Sequence, residues 1–528
     1  GNNIYSASRS IYNNALLLEP APITLRPTPF SKQAYEQALA MGLPFQHVVH
    51  AIASSFYNNN THDNINAVNT TSTGQEGGWL SQAIQTAAMG DKEFTGRLVQ
   101  LAQEVAANPH DRAQTVTLGI LRSDYMMHSP EDNGDGAAAA SSSASSSSPL
   151  SLDRVQTAIP LQVELNTIAS SFGCLSTKIS KLHQVLNNNQ TSPDRLPDNH
   201  VTDGLASGLA AAIHEYTRQK AAQAQHETTS NPTTPIVVVM VVQPGEANSI
   251  DQRDLEFALL ENHGVKMVRK TLYQLATEST YRNDETKELL LPVSVVMGQQ
   301  ESSPLMVEAG VVYYRAGYTP NDYPSGSGGH DVEWTGRRTV EHSAAIKCPD
   351  VFYHLVGAKK IQQALAEPGV LRQFCASDEQ ESLLQSCFAG LYALGDGDDS
   401  LTIQKALEHP DEYVLKPQRE GGGNNLYNDE LVRALKHMSY QERGAYILMQ
   451  KIVPPPTHGQ LVRGGAIVYD GDCVCELGIY SVTLRDYADP TRILQNDVVG
   501  HMLRTKSTAT DEGGVAAGYA FLSSPHLI

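Results

Sequence analysis

The sequence predicts an α/β protein with more than one domain, because three different patterns occur in one chain of 528 residues. Residues 236–268 have the pattern of a strand, a helix and a second strand, which is typical of a parallel sheet. The N-terminal region to about residue 130 has largely helical periodicity. Residues 412–427 have an apolar strand followed by a basic, glycine-rich loop. For this length we expect about three to four domains or one elaborated enzyme.

Composition and charge narrow the possible partners. The formal net charge of −19 argues against binding to nucleic acid or to an anionic membrane surface, because both need basic patches. We find no stretch of 18 apolar residues and no export signal, so we expect neither a membrane span nor secretion. The six cysteines include no Cys-x-x-Cys pair, which favours a reducing, cytoplasmic compartment over a disulfide framework or a zinc site. Cys473 and Cys475 alternate on a predicted strand and are expected to pack in a core.

The first half of the chain contains a predicted helix and a low-complexity segment. Residues 92–107 have apolar side chains at helical spacing and stop at Asn108-Pro109. Residues 131–149 combine a short acidic run, four alanines and a serine tract, so we expect an insertion loop that buries little apolar surface. The acidic run lacks the spaced ligands of a calcium-binding loop.

A polar linker at residues 221–235 precedes the predicted β-α-β unit. Residues 236–242 are seven apolar residues, five of them valine, which is typical of a strand buried on both faces. Asn248-Ser249 can begin a helix that runs to about residue 262, and Gly264 can end it. Residues 265–268 then return as a strand. A parallel sheet of this kind places a ligand crevice at the carboxyl ends of its strands, and residues 310–314 form another such strand before Arg315.

Residues 162–172 predict a strand with a candidate cation site. Alternation places Glu164 and Asn166 side by side on one face. One carboxylate and one amide oxygen are ligands that Mg²⁺ uses together with phosphate oxygens and water. The same alternation equally fits a solvent-exposed strand face, and the residues alone leave both interpretations open.

The glycine-rich loop carries the strongest functional signal. Lys416 and Glu420 precede three consecutive glycines, and the exposed backbone amides of such a run can hold an anion. A carboxylate about 4 Å from a phosphate would be repelled by roughly 4 kcal/mol at an effective dielectric near 20, unless a divalent cation lies between them. The loop therefore indicates Mg²⁺-nucleotide binding, with a mobile surface loop as the alternative. Near the C-terminus, Arg504 and Lys506 share a predicted strand face and could hold a further anion. The signatures of a Walker A loop, a protein kinase, a zinc helix and a nucleophile elbow do not occur.

These segments closely resemble the eukaryotic type of glutathione synthetase, an ATP-grasp enzyme, over nearly the whole chain. The run Leu415-Lys-Pro-Gln-Arg-Glu-Gly-Gly-Gly-Asn-Asn-Leu-Tyr427 is diagnostic. Also matching are Leu121-Arg-Ser-Asp-Tyr125, Glu164-Leu-Asn-Thr, Asp251-Gln-Arg253, Lys347-Cys-Pro-Asp, Glu476-Leu-Gly-Ile, Leu503-Arg-Thr-Lys506 and Gly513-Gly-Val-Ala-Ala-Gly518. The resemblance implies an α/β (α+β) ATP-grasp fold with antiparallel sheets and a glycine-rich lid, plus an inserted parallel-sheet domain that binds substrate.

The implied domain boundaries follow from this match. We expect a mostly helical N-terminal part at 1–130, the low-complexity insertion at 131–150 and a part with the metal-binding strand at 151–234. The substrate-binding α/β domain would occupy 235–345. The ATP-grasp domain would fill 346–528, with its lid at about 390–450.

The resemblance also implies a reaction: ATP, γ-glutamylcysteine and glycine give glutathione, ADP and phosphate. The cysteinyl carboxylate would attack the γ-phosphate to form an acyl phosphate, and the glycine amine would then displace phosphate. Such chemistry mainly needs positioning and charge neutralisation, with a closing lid to exclude water. The implied cofactor is Mg²⁺, and the implied assembly is a homodimer.

Site residues carry over position by position. The implied metal ligands are Glu164, Asn166 and Glu420. The implied catalytic residues are Arg122, Arg504, Gly421 and Gly422. The implied ATP-binding residues are Glu164, Lys359, Lys416, Pro417, Gln418, Arg419, Glu420, Gly421, Gly422, Gly423, Asn424, Asn425, Tyr427, Met449, Gln450, Lys451, Ile452, Glu476, Lys506 and Glu512. The implied peptide-binding residues are Arg122, Ile168, Ala169, Ser170, Ser171, Glu246, Ala247, Asn248, Gln252, Arg315, Ala316, Gly317, Tyr318 and Arg504. Val515 and Ala516 would line the entry of the second amino acid, and Ala516 with Ala517 favours glycine over β-alanine or serine.

Three positions depart from the family pattern: Gln450 and Glu512 replace the usual glutamate and aspartate, and Ala169 replaces a serine. None of them removes a metal ligand or a phosphate-binding lysine. Two alternatives remain: an ATP-dependent carboxylate–amine ligase that uses another amine, and a catalytically inactive nucleotide-binding scaffold.

Overall fold

The computed structural model describes most of the chain. It covers residues 8–9, 16–17, 20–58, 79–107, 113–129, 149–187, 192–224, 234–246, 248–293, 296–297, 300–301, 304–324, 331–418, 424–510, 514–515 and 518–528. Expectations for the low-complexity segment 131–148 and for Ala247, Arg419, Glu420, Gly421, Gly422, Gly423, Glu512, Ala516 and Ala517 lie outside the described residues.

The fold is mixed α/β, as predicted. The strands are β1 (Ser8–Arg9), β2 (Leu16–Leu17), β3 (Ile23–Thr24), β4 (Thr28–Phe30), β5 (Val116–His128), β6 (Ile159–Asn166), β7 (Ile236–Val241), β8 (Met267–Lys270), β9 (Thr280–Tyr281), β10 (Leu289–Val293), β11 (Val296–Met297), β12 (Gln300–Glu301), β13 (Leu305–Tyr314), β14 (Ile346–Cys348), β15 (Leu391–Ala393), β16 (Tyr413–Pro417), β17 (Tyr446–Gln450), β18 (Thr457–Arg463), β19 (Ala466–Asp486), β20 (Ile493–Ser507), β21 (Phe521–Ser523) and β22 (Pro525–Leu527). The helices are α1 (Lys32–Asn58), α2 (Trp79–Gly90), α3 (Thr95–Ala107), α4 (Pro149–Thr157), α5 (Gly173–Asn187), α6 (Val201–Ala224), α7 (Ser249–His263), α8 (Leu272–Glu278), α9 (Val332–His342), α10 (Val351–Val356), α11 (Lys359–Leu365), α12 (Asp378–Gln385), α13 (Ser400–Glu408), α14 (Asn428–His437) and α15 (Tyr440–Arg443).

A 13-stranded sheet, here called the central sheet, organises the molecule. Its main order is β18-β3-β21-β20-β19-β5-β14-β13-β10-β9, with β6 beside β5 and β7 between β13 and β8. Strands β6, β5, β19 and β20 pair antiparallel with one another. Strand β5 also pairs parallel with β14, and the pairs β14–β13, β13–β7 and β7–β8 are parallel. Strand β10 pairs antiparallel with β13. Strand β5 joins the two parts, because β14 pairs with it at Thr117 and β6 pairs with it from Arg122 onward.

Strand β5 is a long strand that the prediction of a largely helical N-terminal region did not include. Helices α1, α2 and α3 do precede it, and α3 falls within the predicted 92–107 segment. Residues 116–128, however, form the long strand β5, which is buried along nearly its whole length. A strand covered on both faces lacks the apolar–polar alternation that identifies a half-buried strand.

The predicted β-α-β unit is confirmed. Strand β7 pairs parallel with β8 and with β13, and α7 connects β7 to β8. Gly264 ends α7 in the left-handed conformation at φ 66°, where glycine has no side chain to clash. The second strand begins at Met267, two residues later than expected.

Two large buried clusters cover the two faces of the central sheet. Along β7, Val237, Val239 and Val241 belong to the cluster that includes α1, α2 and α3. Val238 and Met240 belong to the cluster that includes α5, α6 and α7. This alternation shows that the strand is buried on both sides, as its valine-rich sequence predicts.

A second, antiparallel sheet has its own core. Strand β17 lies between β15 and β16, and this three-stranded sheet is here called the small sheet. Leu394, Ala406, Leu415, Leu431, Leu435 and Leu448 form its buried cluster with helices α13 and α14. Among the described residues no helix is long and apolar enough to cross a membrane. All six cysteines are buried and free of disulfides, including Cys473 and Cys475.

Candidate functional site

Polar residues of four adjacent strands meet on the central sheet. Across β5 and β6, Asp124 pairs with Glu164 and Arg122 pairs with Asn166. Across β19 and β20, Glu476 pairs with Arg504. Because β5 also pairs with β19, these residues of widely separated sequence become neighbours.

The candidate cation ligands lie side by side, as their alternation predicts. The Asn166 amide nitrogen donates to Glu164 Oε1 at 3.2 Å and to Asp124 Oδ2 at 3.1 Å. Burial raises the pKa of the Glu164 carboxyl, but Lys359 and Arg504 lead a group of basic side chains that together lower it to about 2. Glu164 is therefore a carboxylate throughout the neutral range.

Two lysines approach Glu164 from different elements. Lys359, at the start of α11, places its Nζ 3.7 Å from Glu164 Oε2. Lys416, on β16 of the small sheet, donates to the Val163 backbone carbonyl at 2.9 Å. Both lysines are buried. The structure thus brings together two predicted phosphate-binding lysines and one predicted metal ligand, from positions up to about 250 residues apart.

The small sheet and its surroundings carry the predicted adenine-binding stretch. Met449 and Ile452 are buried with Leu161 and Ala389, between the small sheet and β6. Gln450 is exposed and its side-chain oxygen accepts from the Gly390 amide at 3.1 Å. The ammonium of Lys451 lies 5.9 Å from the centre of the Tyr427 ring.

Further predicted nucleotide-binding residues are positioned by the ends of strands. Pro417 ends β16, and Gln418 follows it and accepts from the Lys360 amide at 2.9 Å. The side chain of Asn425 donates to the Tyr427 hydroxyl at 3.4 Å. Asn424 precedes it in the chain and is the first described residue after the glycines. Lys506 lies on β20, two residues beyond Arg504 and opposite Val474.

Glu476, which the resemblance implies as an ATP-binding residue, lies on β19 opposite Arg504 of β20. Its carboxylate forms an ion pair with Arg504, and it is largely buried. Its backbone pairs with Met126, which packs against the cluster of Met449 and Ile452. Glu476 thus lies beside the predicted adenine-binding stretch, and its carboxylate pairs with Arg504.

The predicted peptide-binding residues form a second group around Arg122 and Arg315. Arg122 donates to the Ser171 carbonyl at 3.2 Å, and Arg315 donates to the Ser171 hydroxyl at 3.0 Å. Ala169 has a φ of 53° in this segment, which is an uncommon conformation for a residue with a side chain. The Gly317 and Tyr318 amides donate to Asp322, which shapes the turn after Arg315. Ile168 and Ala316 are buried at the back of these two segments.

Several polar atoms of this second group are buried without a hydrogen-bond partner in the described part of the chain. They are Ser170 Oγ, Asn248 Oδ1 and Nδ2, Gln252 Oε1, Arg315 Nε and Arg504 Nε. Nearby, the Glu246 carboxylate accepts from the backbone N–H of Asn248 at 2.7 Å and from the side-chain amide of Gln252 at 2.8 Å. An unpartnered buried polar group costs about 1–3 kcal/mol, so a cluster of them indicates a site that a polar ligand completes. Val515 is buried in the cluster that contains α5 and α6.

Two carboxylates of this region were not assigned by the sequence. Asp124 is buried between Arg122 and Arg504, and Asp251 accepts from the amides of Phe172, Cys174 and Leu175. Asp251 also pairs with Arg315 at 3.2 Å. Both residues belong to segments that match the family, and Asp124 shares a strand face with Arg122, which is the signal that could have identified it.

The described residues include no group of three or more histidine, cysteine, aspartate or glutamate side chains placed to hold a metal ion. The predicted cation site consists of Glu164, Asn166 and Glu420, of which one is an amide and one lies outside the described residues. The predicted set has only two carboxylates, so it does not form a group of three such side chains even when Glu420 is counted.

Comparison with known proteins gives a consistent result over the whole chain. The family model "Eukaryotic glutathione synthase, ATP binding domain" matches residues 61–527. Glutathione synthetase of Dictyostelium discoideum is 34% identical over 524 residues, covering 98% of this chain and 93% of the relative. The chloroplastic glutathione synthetase of Solanum lycopersicum is 35% identical over 516 residues, covering 96% and 78%. Glutathione synthetase of Homo sapiens is 33% identical over 515 residues, covering 96% and 90%.

The fold also matches a solved structure. The apo form of a glutathione synthetase-like effector from Globodera pallida superimposes with a TM-score of 0.65 at 18% sequence identity. The match covers 97% of this chain and 91% of the effector. It supports the ATP-grasp type of fold.

Proposed function

This chain belongs to the eukaryotic glutathione synthase family, and we propose that it is an ATP-dependent ligase that joins γ-glutamylcysteine to glycine, with release of ADP and phosphate. The observation that carries this proposal is the convergence of Lys359 and Lys416 on the β6 segment that contains Glu164. Two buried ammonium groups, one from the start of α11 and one from β16 of the small sheet, lie near an ionised carboxylate and suit a triphosphate held together with a divalent cation.

The site residues would act mainly through charge and position. Lys359 and Lys416 would neutralise phosphate oxygens as the cysteinyl carboxylate attacks the γ-phosphate. The amine of glycine would then attack the acyl phosphate carbonyl and displace phosphate. Preorganised cations that match developing negative charge give some of the largest catalytic effects known, and the proposed reaction needs no protein nucleophile.

The residues present fit Mg²⁺. Glu164 remains ionised, and the Asn166 nitrogen is committed to donation, so the Asn166 oxygen is the atom that a cation would take. Glu164, Asn166 and Glu420 would hold the ion, which when bound neutralises phosphate charge. Carboxylate and amide oxygens are the donor type that this hard cation prefers.

The unpartnered atoms around Arg315 suit a zwitterionic peptide. γ-Glutamylcysteine has two carboxylates and an ammonium group. Guanidinium and amide N–H groups donate to carboxylates, whereas a carboxylate side chain pairs with the ammonium group. Arg122, Arg315 and Arg504 would bind carboxylates, while Glu246 and the side chain of Asn248 would meet the ammonium group. The family alanines at 516 and 517 would favour glycine as the second amino acid.

We also propose that the protein is a cytoplasmic homodimer. The dimer rests on the family resemblance, and the compartment rests on six free, buried thiols. The Solanum lycopersicum relative is named chloroplastic, so a plastid location is the alternative to test.

The central experiment measures ADP release by the full chain with ATP, Mg²⁺ and γ-glutamylcysteine, with glycine, β-alanine or serine added in separate reactions. The proposal predicts release that depends on glycine, with glutathione as the product identified by mass spectrometry. Release that depends on another amine would instead support a ligase of different specificity. Tight ATP binding without ADP release for any amine would support the inactive scaffold.

A further inference from the structure

We propose that Asp124 is a positioning residue that holds Arg122, Arg504 and Asn166 in the arrangement that binds peptide and cation. This inference rests on the proposed function, because the ligand-binding roles of those three residues come from it. Asp124 itself has no exposed surface, so it acts through its neighbours and does not touch substrate.

Both oxygens of Asp124 are fully used. Oδ1 accepts from Arg122 Nε at 2.7 Å. Oδ2 accepts from Arg122 Nη2 at 2.7 Å, from Arg504 Nη2 at 3.0 Å and from the Asn166 amide nitrogen at 3.1 Å. One carboxylate on β5 therefore fixes side chains of three strands, β5, β6 and β20.

The negative charge of Asp124 lies between two guanidinium groups and offsets the repulsion between them. Arg122 and Arg504 are both largely buried and approach the same carboxylate. Glu476 pairs with Arg504, and Glu164 receives the Asn166 amide on the other side. A buried charge pair of this kind is strongly disturbed when one partner is removed, because the remaining charge stays buried.

The backbone opposite Asp124 is shaped for the pair. Gly478 of β19 pairs with Asp124, and a Cβ added to Gly478 would lie 2.6 Å from Asp124 Oδ1 and 2.8 Å from Arg122 Cδ. Gly478 does not have a positive φ. The close approach of the Arg122–Asp124 pair, and not the backbone conformation, therefore explains the glycine at this position. The strand thus leaves room for the Arg122–Asp124 pair in one arrangement.

The test compares Asp124→Asn with the wild-type chain and with Glu308→Gln. Glu308 is an equally buried carboxylate on β13 that pairs with Lys220 and Arg282, away from the site. In Asp124→Asn we expect the KM for γ-glutamylcysteine and the half-saturating Mg²⁺ concentration to rise by about 10–100-fold, the usual effect of removing a group that orients ligands. At saturating γ-glutamylcysteine and Mg²⁺, the kcat of Asp124→Asn should change by a smaller factor than these two constants, which separates lost positioning of ligands from general damage to the fold.

Glu308→Gln should lower the melting temperature without changing these constants. Unchanged constants in a folded Asp124→Asn variant, or equal changes in Glu308→Gln, would overturn the positioning role. If Asp124→Asn does not fold, Gly478→Ala serves instead, because it keeps every charge and displaces the pair; a wild-type KM in that variant would also overturn the role. Wild-type ADP release that depends on glycine confirms the enzyme independently, so its absence would count against the proposed function and not against the geometry of Asp124.

Discussion

The two halves of the site are held in different ways. On the central sheet, the functional side chains of β5, β6 and β20 bond directly to one another through buried ion pairs, and the large clusters on both faces support the strands. On the small sheet, Lys416 belongs to a unit whose buried core has six residues. A large core and a bonded network fix one half, whereas a small core leaves the other half to depend on a few contacts.

Several polar contacts join the small sheet to the rest of the molecule, in addition to the buried cluster of Met449 and Ile452 with Leu161. Lys416 donates to the Val163 carbonyl, and the Lys360 amide donates to Gln418 at the end of β16. The Lys360 ammonium pairs with Asp396, in the loop between β15 and α13, at 3.1 Å. For the proposed function we therefore expect that the peptide and cation site is preset on the central sheet, and that the small sheet adjusts when nucleotide binds.

The largest effect should come from the glycine-rich loop that follows β16 of the small sheet. Because Glu420 is proposed to hold Mg²⁺ against the triphosphate, Glu420→Ala should lower kcat by about 10²–10³-fold while the Kd of γ-glutamylcysteine changes little. Steady-state ADP release and calorimetric binding of the peptide measure the two quantities. A near-normal kcat would contradict the metal-binding role of this residue.

A smaller loss is expected when the small sheet loses its phosphate-binding lysine. Lys416→Ala should lower kcat/KM for ATP by about 10²-fold, because one preorganised cation is removed while the central-sheet network stays intact. The KM for γ-glutamylcysteine should remain close to wild type. An equal rise in the KM values for ATP and γ-glutamylcysteine would show that the two halves of the site are not independent, and would contradict the difference described above.

The sequence predicted local pairs well and distant ones poorly. Glu164 and Asn166 are two residues apart, so alternation alone placed them side by side, and the β-α-β unit followed from its valines and Gly264. Strand β5 was not predicted from its pattern, because a strand buried on both faces carries no alternation. The Lys416–Val163 contact joins residues 253 positions apart and leaves no local signal.

Family resemblance supplied what local patterns could not. Lys359 and Arg315 were assigned only through matched segments, and the structure places both beside other predicted site residues. Asp124 and Asp251 were in matched segments without an assigned role, because their partners are on other strands and helices. The roles of all these site residues stay predictions, and Glu420, Ala247, Glu512 and Ala516 also lie outside the described residues.

A milder effect should follow from loosening the small sheet. Lys360→Met keeps the apolar stem and removes the ammonium that pairs with Asp396, so we expect the KM for ATP to rise by about 3–10-fold, as for a contact that orients without touching nucleotide. Lys405→Met, on the exposed surface of α13, is the matched control and should be neutral. Equal constants for both variants would remove Lys360 from the contacts that hold the small sheet.

The smallest effect is expected for the serine-rich insertion, which neither half of the site requires by sequence. Strand β5 ends at His128 and α4 begins at Pro149, so a deletion of residues 134–148 leaves both elements and a connecting segment intact. Long surface insertions change stability little, since the entropy of loop closure grows slowly with length. We expect kcat, both KM values and the melting temperature of the deletion variant to match wild type closely. A collapse of kcat with an unchanged melting temperature would instead place the insertion among the elements that close over the site, and the division into a preset half and an adjustable half would then need a third part.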